Sequence, residues 1–297
     1  MNYLTSKEAA LNWAISERMV RKYCTKKRIP NAYCEKNTWY IPEDTPKPKR
    51  EGKKAPEAPI SPLAKKIQYQ RKKNNHFGIY EYIQVNLAYS SNRMASNRLT
   101  RTQVLEMYRT HKISKSFEAT KIDDIIEVIN HFICVQHMVD TINAPLTQVL
   151  IKKYHQLLTY GTFADRQDKI SSGEFRTTNN KLGMAPEEIS ASLSELIKDY
   201  ERRSADLERI LDFHVKFEKI HPFDDYNGRV GRILMMKECL RHQIDPFIID
   251  DKHRGPYNRG IAQWASDPLI LLTTATIAQE RLQGHMEMCK LMEYHRI

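Results

Sequence analysis

The stretch FEKIHPFDDYNGRVGRILMMKECL, Phe217 to Leu240, sets a helix end, a tight loop and a helix start in succession. Upstream, Leu207, Ile210, Leu211, Phe213 and Phe217 recur at helical spacing, which predicts a helix over Ala205 to Ile220. Pro222 ends it, because proline pushes the residue before it out of the helical region. His221 is thereby left at the helix C-terminus, on the rim of a loop, where one imidazole nitrogen can face a cleft. A new helix is predicted from about Gly228. The free N–H groups of Asn227 and Gly228 then point outward at the positive end of its dipole, which makes an anion site. Arg229 and Arg232 lie three apart and reach the same side. Asp225 hangs over the site as a carboxylate able to hold a hard cation between phosphate oxygens. A base, a metal-binding carboxylate, a backbone cradle and two arginines in so short a run describe phosphate chemistry.

HPFDDYNGRVGR, His221 to Arg232, resembles the Fic-family signature H-x-F-x-[DE]-G-N-[GK]-R-x-x-R, matching it at His221, Phe223, Asp225, Asn227, Gly228, Arg229 and Arg232. Two flanking segments are similar to the family as well. GEFRTTNNKLG (Gly173 to Gly183) resembles its flap hairpin, whose first strand, Gly173, Glu174, Phe175, Arg176 and Thr177, would dock a target segment by strand addition. PFIIDDKHRGPYNRGIAQW (Pro246 to Trp264) resembles the region after the motif. Together the resemblance covers roughly residues 85 to 290. It implies a helical Fic fold that moves AMP from ATP, with Mg²⁺, onto a Ser, Thr or Tyr hydroxyl of a target protein. On this resemblance His221 is the general base, and unperturbed histidine already has the near-neutral pKa that task needs. Phe223 fixes the loop, Asp225 holds Mg²⁺, and Asn227 and Gly228 cradle phosphate. Arg229 and Arg232 neutralise the departing pyrophosphate, and Tyr257 lines the nucleoside pocket. Family members that phosphorylate carry lysine at the position of Gly228, so glycine favours nucleotidyl transfer. Self-association is a common control device in the family, which makes a homo-oligomer one of the partners to test.

The chain departs from the family twice. Tyr226 stands where the family has glycine. If φ there is positive, tyrosine is strained by about 1–2 kcal/mol or more; the intact remainder of the motif favours an ordinary φ, with Tyr226 free to contact nucleotide or be self-modified. The second departure lies in SSNRMASNRLT, which resembles the family's inhibitory helix, [ST]-x-x-x-E-[GN]. Ser91 takes its first position and Ala95 the position of its glutamate. In the family that glutamate pairs with the second motif arginine. Here Arg232 is expected to lack such a partner, and the enzyme to be uninhibited.

Around this core, 41% hydrophobic and 28% charged residues suit a globular chain, and no run of apolar residues is long enough to cross a membrane. Five scattered cysteines without a C-x-x-C pair argue against a disulfide framework and for a reducing cytoplasm. The net charge of +11 is confined to one quarter. Residues 1–76 hold 18 Lys/Arg against 7 Asp/Glu, and the other 221 residues balance at 29 each. Such a block points to a polyanion, with DNA the candidate partner.

Pro42 to Pro62 carries six of the thirteen prolines and almost no apolar side chains. The predicted organisation is a helix-turn-helix module over 1–42, a Pro/Lys-rich basic linker over 43–76, with 63–76 a bridging helix or an arm, and a catalytic domain over 77–297. In the first module, helices capped at Thr5 or Ser6 and at Ser16 precede a hairpin over Asn31 to Ile41. This pattern resembles excisionase- and MerR-like winged helix-turn-helix modules, and on that resemblance Arg18, Arg21 and Lys22 face DNA. In the large module, helical periodicity is found over 102–109, 122–142, 146–158, 186–200, 205–220 and 228–241, and from about 267 with Pro268 at the first helical position. Asn179 and Asn180 tolerate the positive φ of a hairpin turn, which makes Gly173 to Gly183 the one strand-turn-strand candidate.

The fold class expected is therefore mainly α with a small flap hairpin, and the function AMP transfer. Two alternatives stand beside it: a DNA-binding regulator whose core senses nucleotide, and an enzyme using UTP, GTP or another pyrophosphate-linked donor.

Overall fold

The computed structural model describes residues 2–48, 60–73, 78–114, 117, 120–180 and 182–294, with side chains as far as 288. The chain forms two compact units, 1–57 and 58–297.

In the small unit, β1 (Tyr3–Thr5) leads into α1 (Ser6–Asn12), capped by Thr5 with Glu8 reciprocating. A left-handed Ala14 turns the chain into α2 (Glu17–Thr25). The hairpin of β2 (Tyr33–Glu35) and β3 (Thr38–Pro42) follows, closed by Lys36 and Asn37, both at positive φ as a two-residue hairpin turn requires. β1 adds to β3, giving an antiparallel sheet ordered β1-β3-β2, with Tyr3 opposite Pro42 and Tyr33 opposite Tyr40. Ala9, Val20, Tyr23, Ile29 and Ile41 fill its core. The two helices and the hairpin appear where expected, and β1 is an addition. Arg18, Arg21 and Lys22 lie exposed on α2, and Arg21 is paired with Glu17 at 3.1 Å.

The large unit is helical: α3 (Pro62–Lys72), α4 (Ile79–Met94), α5 (Arg101–Thr110), α6 (Ile122–Asp140), α7 (Gln148–Thr159), a short α8 (Phe163–Arg166), α9 (Pro186–Tyr200), α10 (Leu207–Ile220), α11 (Asn227–Arg241), α12 (Arg254–Gln263) and α13 (Leu269–Tyr294). No described helix is long and apolar enough to cross a membrane. Cys24, Cys34, Cys134 and Cys239 are free thiols.

α11 is the hub, since α3, α4, α6, α7 and α10 all pack on it and nearly every one of its residues is buried. α4 is equally enclosed, and its Gln84, Ser90, Ser91 and Asn92 are as buried as its Ile83 and Leu87. A helix covered on all sides shows no apolar stripe, which is why periodicity passed over it. α3 buries Ala64 and Ile67 in the same core, so the expected linker is shorter than 43–76 and the large unit begins before residue 77. Residues 49–59 of that linker lie outside the described residues.

Three histidines are buried in the helices around α11: His131 on α6, His155 on α7 and His214 on α10. Burial is the largest cause holding each neutral, with pKa lowered to about 3, and the nearby motif arginines push the same way. The unfolded chain takes up these protons near pH 6.5 and the folded chain does not. Stability contributed by the three is therefore present above about pH 6.5 and lost as pH falls. Each pH unit below about 6 is expected to cost about 1.4 kcal/mol per histidine. Urea midpoints at pH 7, 6 and 5 check this; a midpoint that does not move over that range rules it out.

Candidate active site

α10 ends as its last turn meets the motif. His221 is the C-cap, left-handed at φ 50° and ψ 62°, and its N–H donates to Phe217 O at 3.0 Å. The left-handed cap turns the chain away before Pro222 and sets the imidazole at the mouth of a cleft of about 200 Å³. Burial lowers the His221 pKa, contact of its ring with the Glu218 carbonyl raises it, and Arg176 lowers it further, leaving it below the ordinary value. The ring is thus neutral and basic at physiological pH, with one edge held by backbone.

The next turn is closed by Asn227. Its Oδ1 accepts from Phe223 N–H at 3.0 Å and its Nδ2 donates to Phe223 O at 2.8 Å. The Asn227 side chain is therefore spent on the loop, and only its backbone remains for an anion. Phe223 is fully buried and lies flat on His155, with centroids 3.9 Å apart and planes 4° apart. Gly228 lines the cleft, where a Cβ would come within 2.9 Å of Arg232 Nη1.

Tyr226 is the N-cap of α11 at φ 66° and ψ 5°. The expectation of an ordinary φ is overturned, and the conformation is the one glycine adopts without strain. What holds tyrosine there is its side chain. The ring is buried, the hydroxyl donates to Glu127 Oε1 at 2.9 Å, and the Arg229 guanidinium carbon lies 3.2 Å from the ring centroid. Burial pushes the phenol pKa up. A hydroxyl so enclosed is not available for self-modification.

Both arginines are engaged. Arg229 Nη1 pairs with Glu127 Oε1 at 2.9 Å, and its Nη2 lies 3.7 Å from Asp225 Oδ2. Arg232 donates from Nε to Ser91 Oγ at 2.9 Å and from Nη2 to Ser91 O at 3.1 Å. The partner expected to be missing was the glutamate at the Ala95 position, and the segment that would have carried it meets Arg232 through Ser91 instead, with neutral groups. Ala95 is the C-cap of α4 and lines the cleft. Asp225 keeps its carboxylate two-thirds exposed at the cleft while Oδ1 accepts from Tyr226 N–H at 2.6 Å. No described cluster of three metal-ligating side chains exists, so an ion here would take most of its oxygens from phosphate and water, an arrangement that suits Mg²⁺.

Two expectations fail in geometry. Tyr257 does not line the cleft; it is buried with its hydroxyl 2.6 Å from His214 Nε2. Arg254 and Asn258, one turn apart on the same helix, line the cleft instead. The described residues between Gly173 and Gly183 form no strand. Arg176 is the reason: its side chain is drawn inward, donating to His221 O at 2.8 Å, Thr178 O at 2.8 Å and Met184 O. Its own N–H donates to Pro222 O at 3.0 Å. The segment is a loop bolted to the motif. Gly173 donates to His155 Nδ1, Glu174 pairs with Lys152, Phe175 packs on Phe223, and Thr177 is exposed at the tip. Gly183 allows the bolt, since a Cβ there would meet His221 Cβ at 2.7 Å. Glu127 went unnoticed in the sequence because it lies 99 residues from Tyr226, on a helix read only for its apolar face.

Residues 145–239 match the Fic/DOC family model. Protein adenylyltransferase fic-1 of Caenorhabditis briggsae is 31% identical over 98 residues, 30% of this chain and 19% of that protein. Protein adenylyltransferase Fic of Drosophila persimilis is 27% identical over 178 residues, 57% of this chain and 34% of its own length. The match thus spans a fifth to a third of these relatives. Among solved structures, a Fic domain containing signaling protein from Bacteroides thetaiotaomicron aligns with a TM-score of 0.59 at 18% identity, covering 78% of this chain and 90% of that one. Fic-1 from C. elegans aligns with a TM-score of 0.59 at 18% identity, over 77% of this chain and 72% of its own. These matches support a Fic-family protein, with the family's segment at 145–239 and its helical fold shared well beyond it.

Proposed function

We propose that the chain transfers AMP from ATP to a Ser, Thr or Tyr hydroxyl of a target protein and releases pyrophosphate. The observation that carries this reading is His221, held left-handed at the mouth of a cleft that also contains Asp225, Gly228, Arg229 and Arg232. The name protein adenylyltransferase borne by the relatives points the same way. In the reaction the target oxygen forms a bond to the α-phosphorus and the bond to the bridging β-phosphate oxygen breaks. The hydroxyl proton passes to the neutral His221 ring, and pyrophosphate leaves toward the arginines. Mg²⁺, held at Asp225 and by phosphate oxygens, would supply neutralisation of the triphosphate charge. Ala95 brings no carboxylate into the cleft and Ser91 meets Arg232 with neutral groups only, which supports an enzyme without the family's inhibitory contact. The exposed tip at Thr177 to Asn179 is the part of the loop open to a target segment.

The test is transfer of label from ATP carrying it at the α-phosphate, with Mg²⁺, onto protein in a cell lysate. His221→Ala should lower labelling by at least about a hundredfold, within the usual contribution of a positioned base, while ATP affinity changes little. Equal labelling by the variant ends the mechanism. Parallel reactions with UTP and GTP decide the donor.

Because the base must be neutral and its pKa is lowered, kcat/KM should stay flat down to pH 6.5 and fall only below it. A pH–rate profile whose acid limb turns at or above 6.5 contradicts this.

A second reading, a DNA-binding regulator with a nucleotide-sensing core, is favoured by exposed Arg18 and Lys22 on α2 and by the charge confined to residues 1–76. It requires salt-sensitive DNA binding that is lost on deleting residues 1–42, together with no turnover of ATP.

A further inference from the structure

We propose that Glu127 is a positioning residue for Arg229, and that it is the partner that allows tyrosine to stand at position 226. The role it gives Arg229 rests on the transfer reading; the contacts themselves do not.

Both carboxylate oxygens of Glu127 are committed. Oε1 accepts from the Tyr226 hydroxyl at 2.9 Å and pairs with Arg229 Nη1 at 2.9 Å. Oε2 accepts from Asn97 Nδ2 at 3.0 Å. Asn97 is itself pinned, donating to Asp124 O at 2.9 Å and accepting from Leu99 N–H at 3.0 Å. Glu127 cannot rotate away without giving up three contacts at once. Arg229 is therefore held at two places, one terminal nitrogen by the ion pair with the carboxylate and one face by the Tyr226 ring at 3.2 Å. A guanidinium paired through one nitrogen keeps the donors of the others. Here the second terminal nitrogen, Nη2, lies beside the exposed Asp225 carboxylate at the cleft. The clasp thus sets Nη2 beside Asp225, on a side chain that lines the cleft where an anion would enter.

The same contacts answer the strain at Tyr226. Glycine would adopt φ 66° at no steric cost, but it would offer neither the ring nor the hydroxyl. Tyrosine accepts the strained backbone in exchange for a hydrogen bond to Glu127 and a platform under Arg229. The clasp ties α6, the Asn97 turn and the N-terminus of α11 together.

The test compares the full-length chain with Glu127→Gln, Glu127→Ala and Tyr226→Phe. Calorimetry measures affinity for inorganic pyrophosphate with Mg²⁺, labelling gives kcat and KM for ATP, and thermal unfolding reports the fold. Glu127→Ala should unfold cooperatively, bind pyrophosphate about tenfold more weakly, and lose about 10- to 100-fold in kcat with KM for ATP within about threefold. Glu127→Gln should recover part of both losses, and Tyr226→Phe should show smaller losses in the same direction. Tighter pyrophosphate binding in Glu127→Ala would make Glu127 a resident anion competing with phosphate, and overturn the proposal. Unchanged parameters overturn it too, as does equal loss of cooperative unfolding in the Gln and Ala variants. Should the wild type label nothing, a Glu127-dependent affinity for pyrophosphate still sustains the positioning role while the transfer reading falls. Absence of that dependence removes the positioning role as well.

Discussion

One amide side chain closes the loop on which the candidate site is built. Asn227 bonds both backbone groups of Phe223, an N–H and a C=O that would otherwise be buried without partners. Each such orphan costs about 1–3 kcal/mol, so the loop has few alternatives to this shape. The clasp fixes the distance between the last turn of α10, where His221 sits, and the first turn of α11, where the arginines begin. The neighbours then add restraint in layers. Phe223 goes down onto His155, His155 Nδ1 accepts from Gly173, and Arg176 ties its loop to the His221 carbonyl.

The loop is strained at both ends. His221 and Tyr226 are both left-handed, and positions of that kind cost about 1–3 kcal/mol each and survive only where their surroundings over-determine them. At His221 the restraint is the Arg176 bolt and the close approach of Gly183. At Tyr226 it is Glu127 and the stack under Arg229. The strained positions hold an imidazole and two guanidinium groups around one short loop, after Pro222 has ended the helix before it.

What could be read beforehand follows from where the information lies. α10, the motif loop and α11 were legible because an apolar period, a proline and a glycine give local signals, and because the charged residues between them have few other uses. α4 was not, since burial on every side erases its stripe and leaves Gln84, Ser91 and Asn92 looking like surface. The φ of Tyr226 was misjudged because the partner that sustains it lies on α6, beyond the reach of any local rule. The hairpin expected at Gly173 to Gly183 failed for a related reason. Arg176 reads as an exposed strand residue until the carbonyls of His221, Thr178 and Met184 are brought around it. On α12, Tyr257 came from the family resemblance alone; its hydroxyl is taken by His214, and Arg254 and Asn258 line the cleft.

The buried histidines complete the electrostatic logic of the cleft. His131 and His214 feel the motif arginines, and protonating either would set a second positive charge in a poorly solvated interior. Burial forbids it down to about pH 3, so these rings add polarity without adding charge. These two rings therefore add no positive charge beside the cleft across the physiological range. His221 is different because it sits at the mouth, half-buried, with Asp225 favouring its charged form and Arg176 opposing it. Of the histidines around the motif, the one nearest the surface is the least held in its neutral form, and burial is the largest cause of that difference.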